Sequence, residues 1–151
     1  MKKILIFILL ITIFMTGAAY AAPVKIGVID TGVTQKENIF DSSRILEGKN
    51  YVSEDGNRDK VGHGTRVASL ILGTLDGKII SPSGESQIVP FIYYSEYPSG
   101  VAINGGIEAI CNAIYDAVDS YGCKIINISS GVPKGSEELK KAVNYAEEKG
   151  V

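Results

Sequence analysis

Apolar runs of strand length alternate with stretches of helical periodicity along this sequence, and that alternation leaves few folds open. Val24-Lys25-Ile26-Gly27-Val28-Ile29 reads as a strand that stops at the turn Asp30-Thr31-Gly32. Ile88 to Tyr94 and Lys124 to Ser129 read as two more. Between them, Val67, Leu70, Ile71 and Leu75 follow Gly62 near a 3.6-residue period, which predicts a helix. A second helix is predicted from Ala102 to Ser120, with Ile103, Ile107, Ile110, Ile114, Ala117 and Tyr121 on one face and Gly122 as its stop. Parallel strands need long crossovers, most often helices. The pattern therefore predicts an α/β domain of three layers, a mostly parallel sheet with helices on both faces.

The remaining segments punctuate that plan. Arg44 to Val52 reads as a further strand or an exposed hairpin, and Ser53 to Lys60 as a polar loop. Asp76-Gly77 and Ser81-Pro82-Ser83-Gly84 mark turns, and Tyr97-Pro98-Ser99-Gly100 a loop. Pro90 inside the Ile88 to Tyr94 run predicts an edge strand or an irregular start. Gly131 and Pro133 break the strand before them. Ser136 then caps a last helix, with Glu137 and Glu138 at its positive end and Gly150 as its stop. Cys111 falls mid-helix and Cys123 just past the helix end. At 1.5 Å per residue they are too far apart to bridge, so two buried free thiols are expected.

Residues 1–21 are set apart as a signal peptide. Lys2 and Lys3 precede an apolar run from Ile4 to Met15 broken only by Thr12, and Ala19-Tyr20-Ala21 fits a small-x-small cleavage site, with the cut after Ala21. The run is short of the roughly 20 residues that span a bilayer, so no stable membrane span is expected after cleavage. Residues 22–151 then form a single secreted domain. With 45% hydrophobic and 21% charged residues the chain is no disordered tail, and a net charge of -2 argues against nucleic acid as a partner.

Two segments can carry chemistry. Asp30 sits at the carboxyl end of a buried strand, where open parallel sheets place functional groups; the alternative is a turn Asp that satisfies its own backbone. His63, the only histidine, stands between Gly62 and Gly64 at the start of a helix. There the positive end of the helix dipole favours neutral imidazole, the form a general base needs; the alternative is a surface-loop His.

Together these segments resemble the subtilisin-like serine proteases, or subtilases. Asp30-Thr31-Gly32 is similar to the family's Asp-Ser/Thr-Gly motif, and Gly62-His63-Gly64-Thr65-x-Val67-Ala68 to its His-Gly-Thr-His-Val-Ala motif. The order, Asp before His, and the spacing between them also match. Ile125-Ile126-Asn127-Ile128-Ser129-Ser130-Gly131 resembles the family's substrate-binding strand Val-Ile-Asn-x-Ser-x-Gly, and Ser99-Gly100 sits roughly where the opposite substrate strand lies. The resemblance implies that His63 is the general base and Asp30 orients and stabilises its imidazole. It implies that Ser129, Ser130, Gly131, Ser99 and Gly100 hold an extended peptide or protein substrate.

The sequence departs from the family in several places. The family's nucleophile lies roughly 150 residues beyond the His, and no Gly-Thr-Ser-Met-Ala-like segment occurs here. Nor does the strand carrying the oxyanion Asn, a donor normally worth about 3 kcal/mol. The expectation is an incomplete, N-terminal part of the catalytic domain, inactive alone, with strand 124–129 left as an apolar edge. Arg66 replaces the motif's second His, and no pro-domain fits between Ala21 and the first strand. Leu75 to Ser81 is shorter than the family's calcium loop, so neither calcium nor another cofactor is expected. The competing reading is a secreted, non-catalytic pseudoprotease that binds extended peptides or a complementary C-terminal half. A nucleotide-binding α/β domain is disfavoured, because no G-x-G-x-x-G or G-x-x-x-x-G-K-[ST] follows the first strand.

Overall fold

The computed structural model describes residues 22–35, 41–54, 56, 58–75, 78, 79, 85–131 and 134–151. The predicted signal peptide, the turns at Asp76-Gly77 and Ser81 to Gly84, Pro133 and most of the short loop from Leu75 to Ser81 lie outside them.

Strand β1, Lys25–Asp30, is central because its residues 26–30 are all buried. It pairs in parallel with β5 (Gln87–Ile92) on one side and β8 (Ile125–Asn127) on the other. The short β2 (Lys49–Asn50) pairs in parallel with β5, giving the order β2-β5-β1-β8. Alternate residues of β1 and β5 feed two cores. Ile26, Val28 and Ile88 pack with Ala68 and Leu72 of helix α1 (His63–Leu72). Ile29, Val89 and Phe91 pack with helices α2 (Gly106–Asp119) and α3 (Glu137–Glu148). One helix on one face and two on the other give the three layers that the alternation predicts.

Several local expectations are corrected. Arg44 to Val52 is neither a continuous strand nor a hairpin. A 3-10 turn at Ser42–Arg44 leads to an isolated parallel bridge, Ile45 to Ile88, and then to β2. The interruption comes from Pro90. The Ile88 and Ile92 carbonyls accept from Leu46 and Tyr51 N–H, so Pro90, of the same parity, faces this side without an N–H to offer. Gly48 fills the gap, since a Cβ there would come within 1.7 Å of the Pro90 carbonyl oxygen. Pro90 therefore sits in an interior strand, not the predicted edge strand, opposite a break in its neighbour.

Helix α1 turns a different face inward from the predicted one. It buries Gly64, Ala68 and Leu72, with Val67 and Ile71 half-buried beside them, while Leu70 is 81% exposed. The helix lies so close to the end of β1 that a Cβ on Gly64 would meet the Gly32 carbonyl oxygen at 2.2 Å, so the inward position nearest the strand end has no room for a side chain. Gly73, at φ 55°, ends the helix, and Leu75 falls in the short hairpin β3 (Thr74–Leu75) with β4 (Lys78–Ile79). The second helix starts at Gly106, not Ala102. Ala102–Asn104 forms strand β7 instead, antiparallel to β6 (Tyr94–Glu96), and the Asn104 side chain accepts from Gly106 N–H.

Helix α3 begins as predicted, with Ser136 accepting from Leu139 N–H. Cys111 and Cys123 are free and buried, also as predicted. Burial raises both thiols, Cys123 to about 11, so neither is an appreciable thiolate near neutral pH.

Candidate active site

The site grows from the carboxyl end of β1. Asp30 is the last β1 residue, and its carbonyl is tied across the sheet by Tyr93 N–H at 3.1 Å. Its carboxylate accepts Thr31 N–H at 2.7 Å. Both oxygens then approach Nδ1 of His63, at 2.8 Å and 3.0 Å. A carboxylate can only accept, so Nδ1 carries the ring proton and the lone pair of neutral imidazole stays on Nε2. The Asp30 side chain is 4% exposed and that of His63 45%. A buried anion thus grips one edge of a half-open ring, the arrangement a general base needs.

His63 is fixed by an unusual helix start. The N-cap, Gly62, has φ 92° and offers no side chain. Its work is divided between Asp59 and Thr31. Thr31 Oγ1 accepts from Gly64 N–H at 2.9 Å, and the Asp59 carboxylate accepts from Thr65 N–H at 2.9 Å. Helix and strand end are therefore stitched together beside the Asp30–His63 contact. Burial alone would raise the Asp59 carboxyl, but hydrogen bonds from Thr65, Gly62 and Thr31 outweigh it and hold the group below its ordinary range.

A shallow depression of about 290 Å³ opens over the pair, lined by Asp30, Thr31, Val61, His63, Tyr93, Tyr94 and Ser129. Of the sequence-predicted substrate residues, Ser129 thus lies with the pair; its hydroxyl donates to Asn127 Oδ1 at 2.9 Å. Ser130 and Gly131 follow it, both exposed. Ser99 and Gly100 are exposed at the tip of the β6–β7 hairpin, where Gly100 N–H donates to the Tyr97 carbonyl. Gly100 lines a second depression, of about 470 Å³, with Arg58, Asp59 and Lys60. Sequence reasoning missed Val61, Tyr93 and Tyr94, which carry no local signal. It also passed over Asp59, whose signal was an acidic residue shortly before a helix with no capping side chain at Gly62. Among the described residues, no group of three or more His, Cys, Asp or Glu side chains converges as metal ligands do.

The model of the Subtilase family, peptidase S8, matches residues 22–151. The chain belongs to the subtilases. It is 33% identical over 132 residues to subtilisin DY of Bacillus licheniformis, a match covering 86% of this chain and 45% of that protein. It is 32% identical over 136 residues to the major intracellular serine protease of Bacillus subtilis (strain 168), covering 85% of this chain and 40% of the relative. Its fold superposes on fervidolysin from Fervidobacterium pennivorans, a keratinolytic enzyme related to subtilisin, with a TM-score of 0.70 at 26% identity, over 85% of this chain and 20% of that one. This subtilase chain therefore spans less than half the length of the relatives it matches. One relative's name says intracellular, so membership in the family does not by itself fix a compartment.

Proposed function

We propose that this chain supplies the general base and its orienting carboxylate to a subtilisin-like serine endopeptidase. The observation that carries the reading is the buried Asp30 carboxylate on Nδ1 of a half-exposed His63. In that role Nε2 takes the proton of a serine hydroxyl as its oxygen attacks the scissile carbonyl, then returns it to the leaving amine. Asp30 holds the ring and stabilises the imidazolium in between. Ser129, Ser130 and Gly131, just beyond the edge strand β8, bind the substrate as an added strand, with Ser99 and Gly100 as the opposing wall. The nucleophile and the oxyanion Asn are assigned to sequence outside these 151 residues, and no cofactor takes part. Residues 1–21 are assigned to export, with cleavage after Ala21.

A fluorophosphonate probe is expected to leave the 151-residue chain unlabelled. Joined to the nucleophile-bearing C-terminal segment of subtilisin DY, the chain should take the label and hydrolyse a peptide, and His63→Ala should abolish both. A folded chimera that neither labels nor cleaves would sink the reading. The edge position of β8 favours a second reading, a non-catalytic binder of extended peptides or of a complementary half. Peptide binding by the chain, with hydrolysis absent from the folded chimera, would select it.

A further inference from the structure

We propose that Asp59 is a positioning residue for the Asp30–His63 pair: it sets the direction of two threonine hydroxyls that lock α1 onto the end of β1. Asp59 is 8% exposed, and its carboxylate accepts from five donors. Oδ1 takes Thr31 Oγ1 at 2.9 Å, Val61 N–H at 3.0 Å and Gly62 N–H at 2.6 Å. Oδ2 takes Thr65 N–H at 2.9 Å and Thr65 Oγ1 at 2.6 Å. The donors flank the pair: Thr31 follows Asp30, and residues 61, 62 and 65 surround His63.

A hydroxyl has one proton to give. Because Thr31 gives its proton to Asp59, the oxygen must present a lone pair elsewhere, and Gly64 N–H meets it. Thr65 repeats the device in the other direction. Its proton goes to Asp59 and its oxygen accepts Thr34 N–H at 3.0 Å. Two relays therefore cross the junction in opposite senses, one from strand end to helix and one from helix to the segment after the strand. A third bond, Thr34 Oγ1 to the Asp59 carbonyl at 3.0 Å, holds the loop itself. Without both carboxylate oxygens at position 59, at least one hydroxyl loses the acceptor that takes its proton. The Gly64 and Thr34 N–H groups then lose well-aimed acceptors, and the helix that carries His63 can slip against Asp30.

The importance of this role rests on the proposed function, but its test does not need activity. His63 is the only histidine, so long-range nitrogen NMR of the full chain reads one imidazole. The unchanged protein should show Nδ1–H as the dominant neutral tautomer, held by Asp30. Asp59→Asn keeps the shape, adds two donors where acceptors are needed, and should turn that single tautomer into a mixture. Thr31→Val, which removes one relay only, should give a smaller change in the same direction, and Thr31→Ser should restore the original spectrum.

A purely structural Asp59 would lower stability and leave the tautomer alone. A folded Asp59→Asn with an unchanged tautomer overturns the proposal. If Asp59→Asn does not fold, Thr31→Val decides in the same way, and failure of both to fold also counts against positioning. Tautomer loss with an inactive chimera would leave this proposal standing while the catalytic reading falls; the reverse pattern would do the opposite.

Discussion

The corner where β1 meets α1 and the flank where β8 meets α3 handle burial in opposite ways. At the corner, Asp30, Thr31 and Asp59 are all below a tenth exposed, and each has its side-chain hydrogen bonds supplied by residues 30–34 and 59–65. At the flank, apolar groups stay in water. Ile125 is 51% exposed and Val143 46%, and an open apolar cleft of about 360 Å³ lies between Ile126, Ile128, Val143 and Ala146. β8 has β1 on one side and no strand on the other among the described residues. Buried polar groups are costly unless fully paired, so this corner must be complete within short reach. Hydrophobic burial is non-directional and tolerates partial cover, so the flank can leave Ile125 and Val143 half in water.

The contrast is broken most forcefully at Gly64. A Cβ there would stand 2.2 Å from the Gly32 carbonyl and 3.1 Å from Asp30 Oδ1, so Gly64→Ala must push α1 off the strand end. Overpacking of this kind costs about 2 kcal/mol. Urea denaturation should show that loss, and the His63 Nδ1–H signal should disappear with it. An alanine variant of unchanged stability would mean that the close approach is not what seats the helix.

Acid should act on the same corner more gently, because protonation removes charge from a carboxyl but leaves its oxygens in place. The folded Asp59 group lies below its ordinary value of 3.8. Its contribution to stability is therefore whole above that value and fades as pH falls through the lower folded value. Asp59→Asn should flatten that acid limb while leaving the flank's packing untouched. Stability curves for the two proteins that fall in parallel below pH 3.8 would remove Asp59 from the cause.

At the flank the expected effects shrink. Ser136 caps α3 through Leu139 N–H at 3.2 Å, and Ser136→Ala should cost about 1 kcal/mol in the same denaturation experiment. The tautomer of His63 should not respond, because Ser136 belongs to none of the hydrogen bonds that hold the pair. A response there would mean that corner and flank are coupled through the sheet.

What could be read in advance did not follow that division. The Ser136 cap was legible because its partner lies three residues on, whereas Asp30 and His63, 33 residues apart, were singled out together only through motifs that resemble those of the subtilases. Leu70 was misplaced because a 3.6-residue period finds a stripe but not its neighbour. Only the close approach of Gly64 to the Gly32 carbonyl shows that the face beginning at Gly64 turns inward. Pro90 was sent to an edge by its missing N–H, yet Gly48 and the break in the neighbouring strand accommodate that loss inside the sheet. Ala102–Asn104 carries helical spacing, but pairing with Tyr94–Glu96 overrides it. Asp59 stayed hidden in a polar loop because its five donors come from both sides of a junction that exists only after folding.

The gentlest probe is Ile125→Lys. Ile125 is the first residue of an edge strand and half in water, so its replacement should change the unfolding free energy by no more than about 0.5 kcal/mol. Its effect should appear in association instead. An exposed apolar edge is a template for pairing with a second chain, and a lysine on such an edge is the usual guard against it. Light scattering at equal concentrations should show less self-association for Ile125→Lys than for the parent chain, while His63 keeps its tautomer. If association persists unchanged, the backbone edge of β8 is not the adhesive surface, and the cleft between Ile126 and Val143 becomes the one to alter. If association falls and the tautomer also changes, the flank reaches the corner through β1, the strand they share.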